Sequence, residues 1–207
     1  MKKLFIKPET IKLNGYKMAY QLYKSGFIPD IIYVSLRGGA LLGNCISEYY
    51  KLKLPKDHKP ILYGSVVAHS YNGFESTGNV RIDGWTYSPE YLRPGDKVLL
   101  IDDLWDTGTT LTALERELMS KGIERKNLKV CVHDFKVRSF LLDKPDPLYL
   151  PDIWATQYLI DGPEHDVWLH YETHELVGLT DEELLKVCDE PLFDKEFFKE
   201  ILIGKND

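Results

Sequence analysis

The sequence predicts an α/β fold with a central, mostly parallel sheet flanked by helices, on three observations. Short apolar runs recur at residues 31–34, 98–101 and 128–132 with little polar interruption, as in strands covered on both faces. Behind the first two, apolar residues recur at helical spacing, over 41–50 and at Leu111, Leu114 and Leu118. Turns rich in glycine or proline mark the joints. Strand, turn and helix in repetition point to parallel strands with right-handed crossovers.

Taken in order, the first strand starts after Pro29, and a glycine-containing turn leads to the helix over 41–50. Residues 61–83 hold two strand-like runs, 61–68 and 79–83, around a centre rich in Gly, Ser and Asn. They are expected to form a hairpin-like excursion carrying a mobile loop at about residues 68–79. Pro94-Gly95-Asp96 precedes the strand 97–101, and Gly122 is the expected C-cap of the helix that carries Leu118. The strand 128–132 follows, and 152–155 behind Pro151 is a fourth. Thr180 and Glu183 have the spacing of a capping box ahead of Leu184, Leu185, Val187 and Cys188. With no internal repeat or low-complexity linker, residues 1–207 are read as one domain.

The 207 residues suffice for a sizeable core, and 43% apolar with 28% charged is globular composition. The net charge of −6 speaks against nucleic-acid binding by bulk positive charge. The basic start, Met1 to Pro8, is broken by Lys7 and Pro8 before a signal-peptide core can form, and no later apolar run approaches a membrane span. Cys45, Cys131 and Cys188 are odd in number and form no CxxC pair, which suits reduced thiols and gives no zinc framework. A soluble, cytoplasmic protein is expected, with neither a membrane nor a nucleic acid as partner.

The strongest chemical signal is Val98-Leu99-Leu100-Ile101-Asp102-Asp103-Leu104-Trp105-Asp106-Thr107-Gly108-Thr109-Thr110. A buried strand delivers two adjacent carboxylates to its end, where they can bind hydroxyls or a cation. The Thr/Gly turn then opens a helix whose free N–H groups suit a phosphate. The stretch lacks the lysine of a P-loop and the spacing of a GxGxxG fingerprint. Carboxylates beside an anion nest are what a sugar phosphate needs.

These residues resemble the signature of the type I phosphoribosyltransferases, and the resemblance extends from about Ile31 to Glu175. It implies that fold, with a small hood over about residues 151–176. It implies phosphoribosyl pyrophosphate as donor, with Asp102 and Asp103 on the ribose hydroxyls or their bound magnesium. Asp106 would lie beside the base as general base, and Asp106, Thr107, Gly108, Thr109 and Thr110 would hold the 5-phosphate. Leu36, Arg37, Gly38 and Gly39 are similar to the family's pyrophosphate loop, with a cis peptide expected at Leu36-Arg37. Ser70, Tyr71, Ser76, Thr77 and Gly78 are similar to the mobile loop of hypoxanthine-guanine members. Lys136 sits where purine members place the lysine that donates to a 6-oxo group. Trp168 would stack on the base and Leu169 offer its backbone carbonyl, as in xanthine-guanine members. Glu175 falls at an acidic metal position of some relatives. A late arginine near the pyrophosphate is missing, since no arginine follows Arg138.

The implied reaction is magnesium-dependent transfer of the 5-phosphoribosyl group to N9 of hypoxanthine or guanine, with xanthine turning on one hydrogen bond near position 2. Two alternatives stand beside it: a family member with a non-purine acceptor, and a regulator that keeps the sugar-phosphate site as a sensor. The resemblance also implies self-association, as a dimer or tetramer.

Overall fold

The uncharged run 31–36 forms strand β2 (Ile31–Leu36) in a computed structural model that describes residues 2–70, 80–140 and 149–187. Its neighbours are β5 (Val98–Trp105), which carries the paired acids, and β3 (Leu62–Ser70). With β4 (Val80–Trp85), β6 (Leu128–Arg138) and β7 (Ile153–Ile160) they make one sheet, ordered β4-β3-β2-β5-β6-β7. Every neighbouring pair is parallel except β3 with β4, the expected hairpin.

The uninterrupted apolar strands serve two cores, because successive side chains point to opposite faces. Ile32, Val34, Leu99, Ile101 and Cys131 pack on one face against Met18, Ala19 and Leu22 of α1 (Pro8–Lys24) and Leu42, Ile46 and Tyr50 of α2 (Ala40–Lys53). Ile31, Tyr33, Val98, Leu100, Val130 and Val132 pack on the other against Leu111, Leu114 and Leu118 of α3 (Thr109–Ser120). Gly122, at φ +95°, lies just beyond the end of α3 as expected of a C-terminal glycine.

Three elements were not expected. The N-terminal residues form β1 (Lys2–Ile6), which pairs in parallel with β8 (Val167–Tyr171) in a separate two-stranded sheet. Helix α1 starts with Pro8 at its first turn, a place where the missing N–H costs nothing. It crosses α2 so closely that a Cβ on Gly15 would stand 2.8 Å from Cys45 Cβ. The capping box forms at α4 (Asp181–Val187): Glu183 N–H donates to Thr180 Oγ1 at 3.2 Å and Thr180 N–H to Glu183 Oε2 at 2.9 Å. Cys45 and Cys131 are buried free thiols, whereas Cys188 lies outside the described residues. Among the described residues no helix is long and apolar enough to cross a membrane.

Candidate active site at the carboxyl edge of the sheet

Because β2, β5 and β6 run parallel, their C-terminal ends share one edge, the edge at which open α/β sheets bind ligands. The turn after β2 contains a cis peptide at Leu36-Arg37, where one was expected. It packs directly on the end of β5. A Cβ on Gly38 would fall 2.3 Å from the Asp103 carboxylate and displace it, and one on Gly39 would fall 2.6 Å from the backbone oxygen of Ile101, so the close approach at Gly39 calls for glycine.

Asp102 and Asp103 leave β5 side by side, with Asp103 N–H donating to Asp102 Oδ1 at 3.0 Å. Burial first, and then the neighbouring Asp103 charge, push the Asp102 carboxyl well above the usual carboxylate range. Asp103 Oδ2 lies 3.2 Å from His174 Nε2. The turn that follows brings Asp106 to Gly108 ahead of α3. Gly108 has φ +78°, and a Cβ there would meet the Trp105 ring at 2.1 Å. The glycine is required on both counts. Thr107 and Thr109 hydroxyls are 2.9 Å apart, and Thr109 and Thr110 stand in the first turn of α3, whose N–H groups face the loop.

Lys136 and Arg138, at alternate positions near the end of β6, extend the site. Lys136 Nζ is 3.4 Å from Asp106 Oδ1 and 3.2 Å from Asp166 Oδ1, with a side chain only 5% exposed. The Arg138 guanidinium binds the Asp106 carboxylate, donates to Asp106 O at 2.8 Å and reaches Asp166 Oδ2 at 2.9 Å. Burial would raise the Asp166 carboxyl, but hydrogen bonds from Arg138 and Lys136 outweigh it and hold the group below its usual range. The sequence reading missed Arg138 and Asp166 as site residues. The only local signal was the spacing of Lys136 and Arg138, which puts two cations on one side of a strand.

Trp168 stands half-exposed on β8, two residues beyond Asp166, and Leu169 is buried beside it. Glu175 turns its carboxylate back to accept from Tyr171 N–H at 3.0 Å, and it is the neighbouring His174 that reaches Asp103. His174 also accepts at its backbone carbonyl from Arg37 Nη2 at 3.1 Å, so the segment after β8 meets the turn after β2. Beneath them Tyr171 OH donates to Asp134 Oδ2 at 2.7 Å and lies 3.2 Å from Asp103 O. Of the expected mobile loop, Ser70 closes β3, while Tyr71, Ser76, Thr77 and Gly78 lie outside the described residues.

No family model and no curated protein matches the sequence. Solved structures do match the fold. A purine phosphoribosyltransferase from Pyrococcus horikoshii superposes with a TM-score of 0.62 at 18% identity, over 87% of this chain and 99% of that one. A hypoxanthine phosphoribosyltransferase from Staphylococcus aureus gives 0.55 at 22% identity, over 74% and 75%. The xanthine-guanine-hypoxanthine phosphoribosyltransferase of Helicobacter pylori gives 0.52 at 16% identity, over 81% and 88%. The architecture is that of the type I phosphoribosyltransferases.

Proposed function

We propose that this chain, built on the phosphoribosyltransferase fold, transfers the 5-phosphoribosyl group from phosphoribosyl pyrophosphate to N9 of a 6-oxopurine, releasing pyrophosphate. The observation that carries the reading is the placing of Lys136 Nζ 3.4 Å from Asp106 Oδ1, beside the Thr107 to Thr110 turn. An ammonium donates to a 6-oxo group and has nothing to accept from the amino group of adenine. A carboxylate next to it accepts a proton from the imidazole ring of the base.

The rest of the edge serves the sugar phosphate. The turn from Asp106 to Thr110 offers hydroxyls and helix N–H groups to the 5-phosphate. Asp102 and Asp103 accept from ribose hydroxyls. Arg37, on the turn that packs against Asp103, faces the leaving group and offsets its charge as positive charge develops on the ribose. No covalent protein nucleophile is required.

Two adjacent carboxylates, one pushed up by burial and by its neighbour, are hard oxygen donors that a divalent cation would relieve. Magnesium fits them, and among the described residues no group of three or more side-chain ligands gathers. Asp102 and Asp103 would therefore hold the ion jointly with substrate oxygens, as is usual for magnesium. When bound it would supply charge compensation on the leaving pyrophosphate.

The test is a spectrophotometric assay of the purified protein with magnesium and phosphoribosyl pyrophosphate, offering hypoxanthine, guanine, xanthine, adenine, uracil and orotate in parallel. Turnover restricted to 6-oxopurines is expected. Turnover of a pyrimidine alone, or silence on all six while the sugar phosphate still binds by calorimetry, overturns the reading; silence with binding would favour a sensor.

A further inference from the structure

Four ionised side chains from three parts of the chain meet where β6 leaves the sheet. Lys136 and Arg138 come from the strand, Asp106 from the turn after β5, and Asp166 from the residue before β8. The cations are 5% and 11% exposed and Asp166 14%, whereas Asp106 is 45% exposed and is the member open to a ligand. Two positive and two negative charges balance, so the cluster is affordable in a partly dry site. Charge balance alone does not require an arginine.

The division of donors does. Arg138 spends Nη1 on the Asp106 backbone oxygen at 2.8 Å and Nη2 on the Asp106 carboxylate. Nε and Nη2 reach Asp166 Oδ2 at 3.1 and 2.9 Å. One planar group thereby fixes the side chain and the main chain of Asp106 together and ties both to the segment that leads into Trp168. A lysine, whose donors radiate from a single nitrogen, cannot reproduce that fork. Lys136 meets the same two carboxylates at 3.4 and 3.2 Å, longer than the arginine's contacts with them. Its side-chain hydrogen bond runs to Asp166 Oδ1 at 3.2 Å and its approach to Asp106 is an ion pair, so the two acids do not commit all three of its donors.

We infer that Arg138 is a positioning residue of the transfer reaction: it aims the Asp106 carboxylate and, by taking the shorter contacts to Asp106 and Asp166, keeps the Lys136 ammonium available to a carbonyl of the base. The inference rests on the proposed 6-oxopurine reaction and deepens it. Arg138 itself touches no reacting atom; it acts through Asp106 and Lys136. It also accounts for a specificity element built from residues far apart in the chain, with Asp166 holding the guanidinium from the hood side.

The experiment compares wild type, R138K and R138A with hypoxanthine as acceptor, measuring kcat and both KM values, melting temperature, and the response of R138A to added ethylguanidinium or ethylammonium. R138K and R138A are expected to lose about tenfold or more in kcat, with the KM for phosphoribosyl pyrophosphate within about twofold of wild type. Ethylguanidinium should restore part of the R138A rate and ethylammonium should not. Should R138A fail to fold, R138K decides. A tenfold lower kcat at wild-type melting temperature supports the inference, and wild-type kcat in R138K overturns it. Equal loss for both substrates without guanidinium rescue also overturns it, as a structural staple would behave that way. Wild-type protein inactive on every 6-oxopurine overturns the proposed function itself, so the two failures are told apart by the wild-type assay.

Discussion

His174 Nε2 lies 3.2 Å from Asp103 Oδ2, and the backbone carbonyl of the same histidine accepts from Arg37 Nη2 at 3.1 Å. One residue thus touches both an acid at the end of β5 and the arginine of the turn after β2. Its ring stacks on Tyr171 at 5.5 Å between centroids, which fixes the imidazole plane. This residue beyond β8 therefore joins the two groups proposed to meet the sugar and its pyrophosphate.

Removing that ring should weaken donor binding. The His174 and Asp103 side chains are 17% and 15% exposed, and a single polar side-chain contact is worth about 1 kcal/mol. His174→Ala is expected to raise the KM for phosphoribosyl pyrophosphate by up to about fivefold, leaving the KM for the base unchanged. Initial-rate kinetics with each substrate varied in turn checks this, and a change in the base KM alone would remove His174 from the donor side of the site.

Asp106 carries the clearest catalytic expectation. Asparagine keeps the size of the side chain and can still accept from Arg138, but loses the charge proposed to take a proton from the base. Asp106→Asn should bind phosphoribosyl pyrophosphate with wild-type affinity by calorimetry, while kcat falls by about a hundredfold. Unchanged turnover would end the role assigned to Asp106.

The sheet was legible because its strands 31–34, 98–101 and 128–132 lie between two cores and so read as apolar runs. The β1 and β8 strands were not. In β1 only Ile6 is buried, and the partner of Lys2 to Ile6 is Val167 to Tyr171, at the far end of the chain. Helix α1 hid its period because Leu13, Tyr16 and Tyr20 are apolar on its exposed side, beside the buried Ile11, Met18 and Leu22. The site divides in the same way. Asp102 to Thr110 is one contiguous stretch, whereas Arg138 with Asp166 and His174 with Asp103 are pairings that only the fold creates.

Gly108 should be the least tolerant residue of the turn ahead of α3. A side chain there would have to adopt φ +78° and displace the buried Trp105 ring, two independent strains. Gly108→Ala is expected to lower stability by about 1–3 kcal/mol or more, read as a drop in melting temperature. Gly84, where a Cβ meets nothing within 4 Å, provides the control: Gly84→Ala should leave the melting temperature near wild type.

At the opposite end of the sheet, Glu115 of α3 sets a pH dependence of stability. Its side chain is fully buried, with Arg125 Nε 3.3 Å from Oε2. Burial pushes its carboxyl up to about 8 from the ordinary 4.5; Arg125 opposes the rise, and Asp152 adds to it. The folded protein therefore holds a proton that the unfolded chain releases at lower pH. This contribution to stability is full below pH 4.5 and is lost as the pH rises toward 8, at up to about 1.4 kcal/mol per pH unit. Glu115→Gln keeps the shape and removes the titration. The variant should match wild type at the acid end of that window, melt higher than wild type at its alkaline end, and show a flatter profile between, as followed by differential scanning fluorimetry. Parallel profiles for the two proteins would mean that Glu115 is ionised in the fold and that Arg125 outweighs its burial.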